Sequence, residues 1–154
     1  MTKEVNKKHR QEIRLQAIFD SNQDKRIVVV GTTCTGKSTF LKTIKNAVDM
    51  DEEVFPQLTP KEIRFVNQIP WTAEIGQTMN RLVKEKVKIK PGKPVFGTVV
   101  LDSDLIIYLK INDDLLRQRT ISRNAQFEDA KNMQKQIEEE IKKSRTPFIE
   151  IEVE

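Results

Sequence analysis

One octapeptide has the residue types and the spacing of a phosphate-binding loop. Gly31-Thr-Thr-Cys-Thr-Gly-Lys37-Ser38 fits the pattern G-x-x-x-x-G-K-[ST] without deviation. Gly31 and Gly36 permit a backbone path that turns successive N–H groups toward a phosphate, and a helix beginning near Lys37 directs its positive end at the same anion. Lys37 would reach the β- and γ-phosphates of a nucleoside triphosphate, and the Ser38 hydroxyl would ligate Mg²⁺.

The residues on both sides of this octapeptide are those that a phosphate loop requires. Residues 25–30 form a β-branched run typical of a strand buried on both faces, and 39–47 carries apolar residues at helical intervals. Motif and context agree independently, which argues against a chance Gly-rich turn. The predicted nucleotide-binding residues are Gly31, Thr32, Thr33, Cys34, Thr35, Gly36, Lys37, Ser38 and Thr39.

The remaining elements alternate between helices and strands. Helices are predicted over 2–20, 39–47, from Thr59-Pro-Lys-Glu62 to before Pro70, from Thr72 to about 87, from 112 onward with Leu115, Leu116 and Ile121, and over 127–143. The acidic stretch 49–53 is expected to close the second of these, with a loop or short strand at 54–58. Residues 147–154 alternate as an edge strand does. We therefore expect one α/β domain over 1–154, a three-layer P-loop NTPase-type fold whose mostly parallel sheet has helices on both faces.

Two extended apolar runs, 94–101 and 104–111, follow the Pro91-Gly92 turn. Only Asp102-Ser103 separates them, whereas neighbouring parallel strands need a crossover of a dozen or more residues. The spacing therefore predicts that the runs form a tight hairpin or that one of them leaves the sheet. We favour 104–111 as the sheet strand.

Composition limits the class of protein. The chain has 154 residues, 37% hydrophobic and 32% charged, with one Cys and one His. It has neither an apolar run of about 20 residues for a bilayer nor an N-terminal secretory signal, so we expect a cytoplasmic protein without a membrane partner. A Cys/His zinc site and an internal disulfide are excluded. The net charge of +4 is weak support for a nucleic-acid partner, which is disfavoured.

Several classes of phosphate-loop protein are disfavoured by what the chain lacks. Asp102-Ser-Asp-Leu and Asn22-Gln-Asp-Lys do not supply the Asp-x-x-Gly and Asn-Lys-x-Asp segments of a switch GTPase. No Leu-Ser-Gly-Gly-Gln signature of transport ATPases is present, and the chain is too short for an AAA+ module with its helical lid.

The chain resembles the P-loop small-molecule kinases, such as nucleoside monophosphate kinases, shikimate kinase and dephospho-coenzyme A kinase. The resemblance lies in residues 31–38 with their flanks and in the strand and helix of 103–123. It implies that Arg119 stacks on adenine or approaches phosphate and that Arg123 enters a lid over the γ-phosphate. The alternative is that Arg117, Arg119 and Arg123 form a solvated helix face.

The resemblance also implies acidic residues near the metal ion and the acceptor. Asp102, after the 98–101 run, best matches the residue that organises Mg²⁺ or accepts the substrate proton, and its alternative is a turn residue in a hairpin. Asp49 and Asp51 are similar to the pair with which shikimate kinase holds its acceptor, with helix termination as the alternative.

Trp71 and Glu74 are a further candidate acceptor site, because the only Trp could stack on a planar acceptor while Glu74 reads its polar edge. The alternative is a core Trp. The positive cluster over 84–93 could guide an anionic substrate or a polynucleotide. The alternative is a solvated helix end, which is favoured because no aromatic residues interleave with the cluster. Cys34 would have a lowered thiol pKa if it were exposed.

Three functions remain open from the sequence. The first is an ATP- and Mg²⁺-dependent kinase acting on a small metabolite or nucleotide, with Lys37, Ser38, Arg119 and Arg123 as its machinery. The second is a regulatory ATPase that docks a protein partner on its N-terminal helix. The third is a polynucleotide 5′-kinase that uses the cluster at 84–93.

Overall fold

The computed structural model describes residues 3–68 and 72–154. Five strands form one all-parallel sheet in the order β2-β3-β1-β4-β5. The strands are β1 (Ile27–Val30), β2 (Val48–Asp49), β3 (Val95–Gly97), β4 (Leu105–Lys110) and β5 (Phe148–Glu152). Because they are parallel, all of them begin at one edge of the sheet, here called the amino edge, and end at the opposite edge, the carboxyl edge.

Helices cover both faces of this sheet. They are α1 (Lys3–Asp20), α2 (Lys37–Thr43), α3 (Met50–Val54), α4 (Pro60–Val66), α5 (Ala73–Lys86), α6 (Asp113–Ser122) and α7 (Phe127–Ser144), with a 3-10 turn at Phe55–Gln57. One core cluster joins α3, α4, α5 and α7 to the sheet, and the other joins α1, α2 and α6 to its reverse face. The expected α/β fold with a parallel sheet and helices on both faces is confirmed.

Strand β1 shows why this sequence makes a central strand. Val28 and Val30 pack in the first cluster, and Ile27 and Val29 pack in the second. Side chains alternate between the faces of a strand, so a continuous β-branched run supplies both cores at once. The strand is almost wholly buried and has a paired neighbour on each side.

The prediction of a hairpin or of one strand outside the sheet is wrong for 94–101 and 104–111. Both runs enter the sheet and flank β1, with Val29 in register with Phe96 of β3 and Ile107 of β4. The usual crossover of a dozen or more residues contains a helix, whereas here the shorter segment 98–104 returns over β1 without a helix. An extended chain spans about 3.3 Å per residue, enough to pass this short strand. Residues 99–101 are buried along the way.

Several element boundaries follow their capping residues. Thr59 and Glu62 form the expected capping box at α4, and Thr72 accepts a hydrogen bond from the Ile75 N–H at the start of α5. The acidic stretch 49–53 does not close α2, which already ends at Thr43. It begins α3 instead. In α6, Ile121 was expected on the apolar face but is exposed.

The sheet order places the 31–38 loop, defined as Gly31 to Ser38, at a reversal of direction. From β1 the chain moves to β2, the outermost strand on one side of β1. Strands β4 and β5, which come later in the chain, lie on the other side of β1. Ligands of open parallel sheets bind outside the carboxyl ends of the strands at such a switch point. In the described part of the chain, no helix combines the length and the apolar character that a membrane crossing needs.

Candidate functional site

The 31–38 loop leaves β1 at the carboxyl edge and leads directly into α2. Gly31 N–H donates to the Gly97 carbonyl of β3 at 3.3 Å, which pins the start of the loop to the sheet. Among the described residues, the backbone N–H groups of Thr32, Thr33, Cys34, Gly36, Lys37 and Ser38 have no acceptor, while a turn at 33–34 directs the Thr35 N–H toward the Thr32 carbonyl. Backbone N–H groups without a partner in a concave turn are the donors that an anion site uses.

Both glycines of the loop are required by its shape. Gly36 has a φ of 92°, in the left-handed region that favours glycine. A Cβ on Gly31 would lie 2.9 Å from Thr35 Oγ1 and 3.1 Å from the Leu109 carbonyl oxygen of β4. The loop therefore lies against β4 at a distance that only glycine allows.

Lys37 folds back onto the loop. Its Nζ donates to the Gly31 carbonyl at 2.7 Å, to the Thr32 carbonyl at 2.6 Å and to Thr35 Oγ1 at 3.1 Å. Burial lowers the pKa of Lys37 to about 7, while the three oxygen acceptors favour the protonated amine. The ammonium is thus held in the loop by oxygens that a phosphate can replace.

The threonines of the loop divide into structural and accessible side chains. Thr32 and Thr35 are buried, with Thr32 Oγ1 donating to the Ala130 carbonyl of α7 at 2.6 Å and Thr35 Oγ1 donating to the Thr32 carbonyl at 2.9 Å. These side chains tie the loop to α7 and offer a ligand only their main chain. Thr33 and Ser38 are exposed, and Thr39 is half-buried in the first turn of α2.

Arg119 of α6 lies on the 31–38 loop. Its Nη1 donates to the Cys34 carbonyl at 3.0 Å, and its Nη2 donates to the Glu154 carbonyl at 3.2 Å. Cys34 is buried and has a φ of 69°, so the guanidinium binds a carbonyl that an unusual backbone conformation turns outward. The structure brings Arg119 to the loop, and its predicted contact with adenine or phosphate stays a prediction.

The other two arginines of this segment differ from each other. Arg123 is exposed in the 123–126 turn between α6 and α7, and its charge helps lower the pKa of Lys37, so it lies on the same side of the molecule. Arg117 instead stacks over the Phe127 ring, with its guanidinium carbon 4.2 Å from the ring centre. The lid expected around Arg123 is here a short turn.

Asp49 and Asp51 lie near Lys37 at the carboxyl edge. Asp49 ends β2 and caps α3 by accepting the Asp51 N–H at 3.0 Å. Burial and the neighbouring Asp49 raise the pKa of Asp51, whereas Lys37 lowers it. The alternative that this pair ends α2 is wrong, because β2 separates the pair from that helix.

The structure does not bring Asp102 to this site. The Asp102 carboxylate pairs with Arg26 Nη1 at 3.2 Å, and Arg26 directly precedes β1 while the 31–38 loop follows it. Asp102 therefore lies at the amino edge, one strand length from Lys37, with an exposed side chain. Neither the metal-shell role nor the hairpin-turn role predicted for Asp102 fits this position, because chain adjacency to a strand does not reveal which edge a returning segment has reached.

Two further predicted residues add little to the site. Trp71 lies outside the described residues. Glu74 is exposed in the first turn of α5, where its charge suits a helix start. Its predicted contact with an acceptor stays a prediction.

The oxygen atoms that could act as metal ligands at the carboxyl edge fit a magnesium ion that arrives with a nucleotide. Ser38 has an exposed hydroxyl, and the carboxylates of Asp49 and Asp51 lie near Lys37. Among the described residues, no group of three or more His, Cys, Asp or Glu could hold a metal alone. Mg²⁺ bound through one or two protein ligands, phosphate oxygens and water needs no such group.

Gly97 is a site residue that the motifs do not reveal. A Cβ at this position would lie 2.5 Å from Met50 Sδ, so glycine lets the start of α3 pack on the end of β3 beside the loop. A glycine that interrupts a β-branched run signals this kind of close approach.

No protein-family model matches the chain, and no curated protein matches its sequence.

Proposed function

We propose that this protein is an ATP- and Mg²⁺-dependent phosphotransferase that moves a γ-phosphoryl group to a small-molecule acceptor. The observation that carries the proposal is the 31–38 loop itself: most of its N–H groups from Thr32 to Ser38 lack acceptors while the Lys37 ammonium lies on the same loop. This combination of donors suits the phosphates of a nucleoside triphosphate.

The charges around the loop support phosphoryl transfer rather than simple anion binding. Lys37 would exchange its loop carbonyls for β- and γ-phosphate oxygens, and Arg123 would add positive charge from the 123–126 turn. Ser38 would hold Mg²⁺, which neutralises charge on the phosphates when it is bound. Because phosphoryl transfer depends mainly on positioning and charge neutralisation, these groups are those that the reaction needs.

Asp51 is the best candidate for the acceptor side. It lies near Lys37, and burial together with Asp49 raises its pKa, which makes it a stronger proton acceptor than an ordinary aspartate. We therefore assign to Asp51 the binding of an acceptor hydroxyl and the removal of its proton.

Replacing Lys37 by Ala tests this proposal. We expect Lys37→Ala to lose ATP binding and at least about 100-fold of phosphoryl transfer, because the loop then lacks its phosphate cation. Lys42→Ala, which removes an exposed lysine from the last turn of the same helix, is the matched control. The measurement is transfer from labelled ATP to panels of nucleosides, monophosphates, sugars and oligonucleotides. Undiminished transfer by Lys37→Ala would end the assignment.

The regulatory ATPase gains little support from α1. Ile13 is 57% exposed on this helix, close in sequence to Leu15, which is buried in the core. A single exposed apolar side chain is ordinary on a protein surface and does not mark a docking site. Release of phosphate that only a protein partner stimulates, without transfer to any acceptor, would favour this function.

The polynucleotide 5′-kinase loses support. The segment 84–93 leads from the end of α5 into β3 and lies at the amino edge. An RNA or DNA 5′ end bound there would be separated from the 31–38 loop by the length of the sheet strands.

A further inference from the structure

Lysines precede three adjacent strands at the amino edge. Lys45 precedes β2, Lys93 precedes β3 and Lys25 precedes β1, and these strands are neighbours in the order β2-β3-β1. All three lysines line one small cleft with Gly92 and Pro94. Since neighbouring strands lie about 4.8 Å apart, the backbone positions of this row span about 10 Å.

Two further lysines lie in the segment that leads to Lys93. Exposure alternates along this segment: Lys88 and Lys90 are exposed, whereas Val87 and Ile89 are buried. Both lysines therefore lie on the outer side of the segment. We call Lys25, Lys45, Lys88, Lys90 and Lys93 the lysine row. Within the residues that the structure describes, none of the five forms an ion pair.

The nearby carboxylates offset part of this charge. Asp102 and Asp104 share Arg26, so one of their two charges is left to the lysines, and Lys25 contributes to lowering the pKa of Asp104. Asp20 and Asp24 are exposed in the chain just before Lys25. The row sets five exposed lysines against these carboxylates, so positive charge prevails at this end of the sheet although the composition disfavours a nucleic-acid partner.

The side chains around the row favour one kind of polyanion. The aromatic residue of the cleft, Phe19, is buried and cannot stack on an unpaired base. The large apolar side chains that the structure shows exposed, Ile13, Ile121 and Phe148, are not residues of the cleft or of the row, so nothing there would insert into a bilayer. Closely spaced point charges without stacking or inserting groups suit the phosphate backbone of a duplex.

We propose that the lysine row binds double-stranded nucleic acid through its phosphates, without reading the sequence. This surface is separate from the 31–38 loop, which lies at the opposite edge of the sheet. The proposal therefore does not depend on the phosphotransferase assignment.

The test measures fluorescence anisotropy of a labelled duplex of about 20 base pairs against the full chain at several salt concentrations. We expect binding that weakens with salt, and we expect Lys88→Gln/Lys90→Gln/Lys93→Gln to reduce the slope of log K against log salt by about 2 to 3. The matched control, Lys61→Gln/Arg64→Gln/Lys135→Gln, removes three exposed charges on α4 and α7 and should bind as the wild type does.

Further arms make each outcome decisive. Thermal midpoints of the two triple variants establish that both are folded, and Lys37→Ala should bind the duplex normally. Absence of wild-type binding at low salt, an equal loss in the control, loss in Lys37→Ala, or tighter binding to anionic lipid vesicles or to single strands would each overturn the proposal.

Discussion

Lys37 experiences two opposing influences that a nucleotide would change. Burial favours the neutral amine and lowers the pKa of Lys37 to about 7, while the oxygens of Gly31, Thr32 and Thr35 favour the ammonium. Phosphate groups would replace these neutral oxygens by charged ones. The pKa of Lys37 should therefore rise when a nucleoside triphosphate binds.

This rise predicts proton uptake on binding. At pH 8 a lysine with a pKa near 7 is mostly neutral, so ATP binding should take up a fraction of a proton that approaches one. Affinity should fall as the pH rises above 7, because binding must then supply the proton. Calorimetry in buffers of different ionisation enthalpy measures the uptake, with Lys37→Arg as the control that stays charged. Equal uptake by wild type and Lys37→Arg would contradict the shift.

The residues of the loop could be predicted from sequence because each performs a local task. The pattern of Gly31, Gly36, Lys37 and Ser38 fixes a turn and its donors whatever surrounds it. Asp102 could not be placed in the same way, because its position depends on where the segment 98–104 ends. The link from Thr32 to Ala130 joins residues 98 positions apart, which no local pattern reveals.

Helix α6 and the turn that follows it carry both arginines of the site. Asn112 caps it by accepting the Leu115 N–H at 2.8 Å, and Leu116 fixes it in the core. Arg119 then lies on the 31–38 loop and Arg123 follows the last turn. The start of this helix therefore helps determine where its positive charges lie.

Removal of that cap should be measurable. Asn112→Ala should lower the free energy of unfolding by about 1 kcal/mol, because the first N–H groups of α6 lose their acceptor. Urea unfolding measures the change, and Asn132→Ala on the exposed face of α7 is the control. If both variants unfold at the same urea concentration, the cap contributes nothing.

Element predictions succeeded where one residue decides them locally. Thr59 and Thr72 start α4 and α5 by their own hydrogen bonds, and the 27–30 run is apolar enough to be buried on both faces. The placement of β3 and β4 on either side of β1 depended instead on which strands are neighbours. The short separation between these runs argued against two parallel strands because crossovers usually contain a helix, and this one does not.

Two helices place charges of opposite sign at the two edges of the sheet. Helices α5 and α7 carry acidic residues in their first turns and lysines in their last turns, as helix dipoles favour. Since both run from the carboxyl edge toward the amino edge, their acidic residues lie at one edge and their lysines at the other. Lys37, Arg119 and Arg123 at the carboxyl edge, and Asp102 and Asp104 at the amino edge, have the opposite charges.

Asp102 and Asp51 lie at different edges of the sheet, so their replacement should affect ATP turnover differently. Asp102→Asn should leave ATP turnover unchanged because the residue pairs with Arg26 at the amino edge. Asp51→Asn, an equal change in charge near Lys37, should lower turnover at least about tenfold by weakening the proton acceptor. Steady-state kinetics of both purified variants measures this contrast. A larger loss in Asp102→Asn would mean that the catalytic base has been misplaced.

The short 123–126 turn determines how well bulk water can be kept from the phosphates. Kinases that close a long segment over bound nucleotide protect it from hydrolysis, and a turn of this length cannot cover the 31–38 loop. In the proposed phosphotransferase, an acceptor that fills the space beside Lys37 would supply this protection. Without an acceptor, the protein should therefore hydrolyse bound ATP slowly. Addition of the true acceptor should lower the rate of this hydrolysis.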